Sequence, residues 1–144
     1  MIGIVLVTHG ALGREMLRTT EGIVGPLSQI LAVAVEMHDG MDEIRDKMEK
    51  AIAEVDTGEG VLVLVDMFGG TPANLALTFL EERRVEVVTG VNLPMMLKLG
   101  TSRDDPSTLA EIAAGLAEYG QRNIVFASEL LGARREGAPT KGLS

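Results

Sequence analysis

The residues with the clearest chemical potential in this sequence are a histidine and an aspartate, each at the end of an aliphatic run. His9 follows the run at residues 2–7, and Asp66 follows the run at residues 61–65. Runs without polar alternation are typical of strands that are buried on both faces of a parallel sheet. If the two strands are neighbours, the side chains face each other, and the carboxylate can hold one imidazole nitrogen as N–H. The other nitrogen then presents its lone pair outward as a nucleophile.

The segment directly after the aspartate, residues 67–72 (MFGGTP), predicts a phosphate-binding turn. Its two glycines let the backbone approach a ligand closely, and its Thr-Pro pair is typical of an N-cap followed by the first residue of a helix. The free N–H groups and the dipole of a helix N-terminus bind phosphate. We therefore predict that Gly69, Gly70 and Thr71 form a phosphate-binding site beside His9.

The elements that must position these residues can be read from apolar runs and helical periodicity. Strands are predicted at residues 2–7, 30–35, 61–65 and 85–88, and a short last strand at residues 124–127. Glu86 interrupts the fourth run, which places that strand near an edge. Helices are predicted at residues 12–23, 41–55, 71–83, from 92 or 93 to about 100, and 105–119.

Alternating strands and helices predict an α/β fold with a doubly wound, mainly parallel sheet and right-handed crossovers. Among such sheets we predict the flavodoxin-like order 2-1-3-4, with the short last strand at the edge. This order brings strands 1 and 3 together, and ligands bind where the strand order reverses. Residues 1–131 are predicted to form one domain, and residues 132–144, which lack periodicity, a flexible C-terminal tail.

Composition argues against several classes of function. Thirteen basic and 21 acidic residues give a net charge of −8, and three Phe, one Tyr and no Trp leave few stacking platforms, so nucleic-acid binding is not expected. The absence of cysteine excludes thiolate nucleophiles and cysteine-based metal sites. No apolar run approaches the ~18 residues of a membrane span, and no secretory pattern precedes the first strand. We expect a cytoplasmic protein.

Three segments together resemble the mannose-type enzyme IIA family of the phosphoenolpyruvate-dependent sugar phosphotransferase system, the mannose, fructose and sorbose group. They are residues 4–10 (IVLVTHG), 60–74 (GVLVLVDMFGGTPAN) and 89–95 (TGVNLPM), and the resemblance runs from Met1 to about Ala127. One difference is Phe68, which stands where tryptophan is common in the family.

The resemblance implies that the protein is a phosphotransferase acting as a phosphohistidine carrier. His9 would accept a phosphoryl group from the phosphocarrier HPr and pass it to a IIB protein, for sugar uptake or regulation, without a cofactor or a metal. Asp66 would orient the histidine, and Thr71 would lie near the phosphate. Contact with the membrane would be indirect, through IIC and IID components. The family also implies a homodimer, in which the short last strand at residues 124–127 would lie at the sheet edge or be exchanged with the partner. The residues implied to line the cleft are Thr8, Gly10, Phe68, Asn92 and Leu93.

Other functions remain open at this point. A phosphotransfer subunit for dihydroxyacetone kinase would use a similar histidine, and a non-catalytic sensor of phosphate ligands would use the same turn with an indifferent His9. A histidine phosphatase is disfavoured because Thr8, not arginine, precedes His9. A metal site from His9, His38 and Asp66 is possible by residue type, but its ligands lie on three loops. We interpret the segment 38–40 (HDG) as a polar loop that opens the helix at residue 41.

Overall fold

The computed structural model describes residues 1–81 and 84–135, in which four strands form one parallel sheet. The strands are β1 (Gly3–His9), β2 (Ile30–Val35), β3 (Val61–Val65) and β4 (Val85–Thr89). Their order is β2-β1-β3-β4, so the predicted order is confirmed. The sheet therefore places the end of β1 between the ends of β2 and β3.

The two faces of the central strands carry different aliphatic side chains. In β3, the fully buried Val61, Val63 and Val65 pack on one side of the sheet, whereas Leu62 and Leu64 pack on the other. Successive side chains of a strand point to opposite faces, so this alternation gives each face its own core. Burial on both faces explains why the strands read as continuous aliphatic runs in the sequence.

Helices cover both faces of the sheet. The helices are α1 (Leu12–Val24), α2 (Met41–Val55), α3 (Gly70–Leu77), α4 (Leu93–Ser102), α5 (Leu109–Arg122) and α6 (Ala127–Arg135). Helices α2 and α3 cover the valine face, and α4 and α5 cover the leucine face, with α1 beside α4. Within the described ranges, no helix has both the length and the apolar character that crossing a bilayer requires.

Two helix starts differ from the predictions. Helix α3 begins at Gly70 with Gly69 as its N-cap, so the prediction of Thr71 as the N-cap is wrong. The two glycines have φ values of +91° and +83°, which turn the chain into the helix before the threonine is reached. Helix α3 also ends at Leu77, short of the predicted 83. Helix α5 begins at Leu109, so the predicted start at 105 is wrong. Thr108 and Glu111 form a capping box that fixes the first turn at this position.

The predicted last strand does not form in this chain. Residues 124–126 have no regular structure, and Ala127 begins α6. Their three apolar side chains are exposed, at 78%, 50% and 71% for Ile124, Val125 and Phe126. A strand needs hydrogen-bonding partners on a neighbouring strand, and apolar content alone cannot provide them. Helix α6 continues to Arg135, beyond the predicted start of the tail at 132, and residues 136–144 lie outside the described residues.

Arg103 follows the C-terminal end of α4 and contacts the amino ends of the strands, at the end of the sheet opposite to His9. Its guanidinium donates hydrogen bonds to the carbonyl oxygens of Ser28 (2.6 Å), Ile2 (2.7 Å) and Gln29 (3.4 Å), which precede β2 and β1. Partial burial lowers the pKa of the Arg103 guanidinium from its ordinary value. The planar guanidinium thus joins three segments that are distant in sequence.

We expect Arg103→Met to lower the free energy of unfolding by about 2 kcal/mol, since carbonyl groups lose a charged donor. Arg103→Lys should retain part of this stability, because an ammonium can bond fewer of these carbonyls at once. The measurement is urea unfolding of both variants beside the wild type. Equal urea midpoints for the Arg103→Met variant and the wild type would show that the guanidinium contributes nothing to stability.

Candidate functional site

The strand register brings His9 and Asp66 together at the carboxyl edge of the sheet. Val7 of β1 lies opposite Val65 of β3, which is the last pair between these strands. His9 lies two residues beyond this pair and Asp66 one residue beyond it. The Oδ2 atom of Asp66 lies 2.9 Å from Nδ1 of His9, and it also accepts a hydrogen bond of 2.9 Å from the backbone N–H of His9. One carboxylate oxygen therefore holds both the ring and the main chain of the histidine.

Burial differs sharply within this pair. The Asp66 side chain is 9% exposed, and the His9 side chain is 52% exposed. A carboxylate accepts hydrogen bonds only, so Nδ1 must carry the proton of the shared hydrogen bond. This leaves Nε2 of a neutral ring with its lone pair directed away from the carboxylate. The pair therefore has the arrangement predicted for an imidazole nucleophile and its orienting acid.

The start of α3 lies against the other side of the imidazole ring. A Cβ atom placed on Gly70 would stand 3.5 Å from Cε1 and 3.6 Å from Nε2 of His9. The absence of a side chain at Gly70 therefore keeps the space beside Nε2 open, and the positive φ there favours glycine independently. The ring nitrogen that is free to react thus faces a helix N-terminus, whose dipole favours negative charge.

His9 opens onto a cleft of about 600 Å³ between β1, β2 and α3. Of the residues predicted at the site, His9, Gly10 and Thr71 line this cleft. The opposite wall comes from the end of β2, the β2–α2 loop and α2, which sequence reasoning did not select: Val35, Glu36, Met37, Asp39, Met41 and Ile44. The predicted strand order could have identified this wall, because it places the loop after β2 next to the loop after β1.

A buried carboxylate holds the β2–α2 loop in shape. The side chain of Asp39 is 2% exposed, and its Oδ2 atom accepts hydrogen bonds from the backbone N–H of Glu36 (2.9 Å) and from Nζ of Lys47 (3.1 Å). These two donors hold the pKa of the Asp39 carboxyl below its ordinary value. Helix α2 begins at Met41 as predicted, while His38 is largely exposed, with Nε2 3.7 Å from Asp39.

Thr8 does not line the cleft as the resemblance implied, because its side chain is fully buried. Its hydroxyl accepts a 2.7 Å hydrogen bond from the backbone N–H of Gly13 in the first turn of α1. A Cβ atom on Gly13 would lie only 3.0 Å from that hydroxyl. Thr8 therefore fastens the turn between β1 and α1, in which Gly10 adopts a φ of +56°.

The other residues implied for the cleft have different positions. Phe68 is 78% exposed in the loop between β3 and α3, close in sequence to the orienting aspartate. Asn92 caps α4: its Oδ1 accepts a hydrogen bond from the N–H of Met95, and its Nδ2 donates to the carbonyl of Gly120. Leu93 is half-buried as the first residue of α4. Asn92 thus joins two helices and is not among the residues that line the His9 cleft.

The structure also bears on the possible metal site. In the part of the chain that the structure describes, no group of three or more His, Cys, Asp or Glu side chains is arranged to hold a metal ion. His9 and Asp66 contact each other, whereas His38 pairs with the separate carboxylate of Asp39. The structure thus does not bring the three residues His9, His38 and Asp66 together as one cluster.

Comparison with known proteins places this arrangement in a family. The family model described as EIIA-man, PTS system fructose IIA component, matches residues 3–116. The chain belongs to this EIIA family. The fructose-specific EIIA component of Bacillus subtilis is 30% identical over 132 residues, which are 91% of this chain and 90% of that protein.

Other EIIA proteins show how far the likeness extends. The mannose-specific EIIAB component of Escherichia coli K12 is 32% identical over 124 residues, 85% of this chain but only 38% of the longer protein. The mannose/sorbose-specific IIA subunit of Enterococcus faecalis has a solved structure with a TM-score of 0.76 and 30% identity, covering 86% of this chain and 92% of that one. An EIIA structure from Streptococcus agalactiae, 23% identical, shares the fold with a TM-score of 0.80, covering 90% of this chain and 99% of that one.

Two neighbouring glycines allow a matched test of the space beside the His9 ring. Gly69→Ala and Gly70→Ala both place a side chain at positive φ, which costs about 1–2 kcal/mol of stability in each case. Only the methyl group at Gly70 meets the imidazole, because nothing lies within 4 Å of a Cβ at Gly69.

For His9 in its predicted role as phosphoryl acceptor, we expect uptake to slow on the order of 10-fold or more in Gly70→Ala, because the added methyl group would occupy the space beside Nε2 that the phosphoryl group needs. Gly69→Ala should remain close to the wild type. The measurement is the initial rate of phosphoryl uptake, with the folded fraction of each variant determined in parallel. Equal rates in the two variants would contradict a steric requirement at Gly70.

Proposed function

We propose that this chain is a phosphocarrier in which His9 accepts a phosphoryl group from phosphorylated HPr and passes it to a IIB protein. In this proposal Nε2 of His9 attacks phosphorus, the bond between phosphorus and the donor breaks, and a new N–P bond forms on His9. The reverse exchange delivers the group to the next protein. No cofactor takes part, because the phosphohistidine itself carries the group.

The observation that carries the proposal is the 2.9 Å contact between Nδ1 of His9 and Oδ2 of Asp66 beside an open cleft. Substitution at Nε2 makes the ring positive while Nδ1 keeps its proton. The neighbouring carboxylate stabilises that positive charge, and it does so in a position where little water competes, because Asp66 is nine-tenths buried.

The start of α3 supplies a second argument. A phosphoryl group on Nε2 carries negative charge into the space beside Gly70, at the N-terminus of an eight-residue helix. Backbone N–H groups in the first turn have no intrahelical acceptor and are suited to phosphate oxygens. Thr71, which lines the same cleft, is placed to add a hydroxyl donor, although it does not cap the helix.

The relatives guide the choice of downstream step. Their names describe mannose-, fructose- and sorbose-specific components of the phosphotransferase system. We propose a corresponding place for this chain in the cytoplasm, with a IIB protein as acceptor and with sugar uptake or its regulation as the outcome. Contact with the membrane is then indirect, through the IIC and IID components that receive the group from IIB.

The test begins with the unmodified protein and phosphorylated HPr. One phosphoryl group should appear by mass spectrometry, and peptide mapping should locate it on His9. Addition of a IIB protein should remove the label, whereas the phosphoryl-accepting subunit of dihydroxyacetone kinase should not. Label on a hydroxyl group or on His38, or no label at all, would contradict the proposal.

We also propose that the chain is a homodimer in which residues 124–126 complete the sheet of a partner. The three apolar side chains of this segment are exposed, and β4 lies at an edge of the sheet, where Val85 has a backbone bridge to Glu81. An exposed edge strand favours pairing with another chain. The same residues form no strand within their own chain, which is the behaviour expected of a segment whose partner strand lies elsewhere.

Truncation after Asn123 should convert the dimer into a monomer or an aggregating species, since it removes the apolar segment but leaves α5 complete. Truncation after Arg135, which keeps the segment and α6, should leave the dimer intact. Sedimentation at micromolar concentration measures both. A wild-type protein that sediments as a monomer would contradict the dimer, and a dimer that persists after the shorter truncation would exclude this segment as its cause.

A further inference from the structure

The methionines of this chain differ widely in exposure, and the three most exposed ones follow the carboxyl ends of β2 and β3, at the same end of the sheet as His9. Met48, Met95 and Met96 are 0–2% exposed in the two cores. Met37, Met41 and Met67 are 106%, 54% and 51% exposed, more than Met1 at 39%. We call these three the methionine rim.

The methionine rim lies at the reactive edge of the sheet. Met37 and Met41 line the same cleft as His9, on the wall opposite Gly10 and Thr71. Met67 directly follows Asp66, the residue that holds the imidazole ring. A protein that reaches Nε2 of His9 through this cleft therefore contacts the Met37 and Met41 side chains that line it.

Sulfur chemistry in this chain is confined to methionine, because it contains no cysteine. A peroxide therefore meets thioethers and no thiol. In the reaction a sulfur lone pair attacks one peroxide oxygen, the O–O bond breaks, the S–O bond forms and water leaves. The product, methionine sulfoxide, is polar, and methionine sulfoxide reductases restore the thioether.

We infer that the methionine rim is a reversible modification site for oxidants of the peroxide class, and that its oxidation slows phosphoryl exchange at His9. This inference rests on the proposed function. Conversion of an apolar thioether into a sulfoxide places strongly hydrated oxygens on the surface that a partner must desolvate. His9 and Asp66 themselves are unchanged, so the effect falls on docking and not on the chemical step.

Selectivity follows from burial. Met48 and Met96 are fully buried, which shields their sulfur atoms while the fold persists. Met1 lies at the other end of the strands, and its sulfur accepts a hydrogen bond from Ser28. Low doses of peroxide should thus modify the methionine rim first. Peptide mapping after a short exposure to hydrogen peroxide measures this directly, without reference to phosphoryl transfer.

The functional test compares each protein with its own untreated sample, using phosphorylated HPr as donor. Peroxide should lower the initial rate of phosphoryl uptake several-fold in the wild type, and a methionine sulfoxide reductase should restore it. The triple variant Met37→Leu, Met41→Leu, Met67→Leu should show no decrease on treatment. Met16→Leu, at a half-buried position in α1, should remain as sensitive as the wild type.

Two outcomes would overturn the inference. One is complete oxidation of the methionine rim with an unchanged rate of phosphoryl uptake. The other is an equal loss of rate in the triple variant, which would place the sensitive group elsewhere. Failure of the untreated wild type to accept a phosphoryl group would instead contradict the proposed function, so the two failures can be told apart.

Discussion

Replacement of His9 by alanine should abolish phosphoryl uptake from phosphorylated HPr while leaving the fold intact. The imidazole is the nucleophile of the proposed exchange, and the chain has one other histidine, His38, on a different loop. Stability should fall by about 1 kcal/mol or less, because the His9 side chain is half-exposed. The backbone N–H of His9 remains as a donor to Asp66, so the buried carboxylate keeps one hydrogen bond.

The matched control is His38→Ala. Its side chain is 84% exposed and does not line the His9 cleft, so the variant should take up phosphate at the wild-type rate. Uptake is measured by mass spectrometry, and circular dichroism with urea unfolding checks the fold. Phosphate on the His9→Ala protein would show that another residue is the acceptor.

Replacement of Asp66 by asparagine should have the next largest effect, a decrease in transfer rate of roughly 10²–10⁴-fold, the range that correctly placed proton-handling groups contribute. Asparagine retains an oxygen that can accept from the ring and from the backbone N–H of His9. It lacks the negative charge that stabilises the positive ring of a phosphohistidine. An asparagine that presents its amide nitrogen to the ring would also favour the wrong tautomer.

Folding should change little in Asp66→Asn. The Oδ1 atom of Asp66 is buried without a hydrogen-bond partner among the described residues, so an amide nitrogen at that place exchanges one unpaired group for another. The measurement is the transfer rate from phosphorylated HPr, with urea unfolding in parallel. A wild-type rate in this variant would remove the orienting role of Asp66. If Asp66→Asn loses stability as well as transfer rate, the variants Asp66→Ala and Asp66→Glu separate the two causes. Alanine removes the charge and the hydrogen bonds, whereas glutamate keeps the charge.

The central part of the fold could be predicted because burial on both faces leaves a direct mark on the sequence. The runs at residues 4–7 and 61–65 are aliphatic, and the candidate chemical residues follow closely, with Asp66 directly after the second run and His9 one residue further from the first, after Thr8. The strand order then brings His9 and Asp66 together without any knowledge of loop conformation. These two residues were therefore accessible to sequence reasoning, as was the start of α2.

Features that depend on loop shape or on a partner chain could not be predicted in the same way. The wall containing Met37 depends on the hydrogen bonds that the Asp39 carboxylate makes across its own loop. The start of α3 depends on two successive positive φ values, which glycine permits but does not require. The segment 124–126 has the composition of a strand, but composition does not say whether an acceptor edge is within reach.

The Oδ2 atom of Asp66, which bonds both the ring and the main chain of His9, affects the reorganisation energy of the site. Because Oδ2 is also held by the main-chain N–H of His9, the carboxylate does not depend on the ring for its position. The strand that carries this N–H is paired with β2 as far as His9 and with β3 as far as Val7, so the donor is part of a rigid template. In the proposed exchange, the imidazole therefore gains and loses the phosphoryl group beside a fixed counter-charge, with little reorganisation energy in either direction.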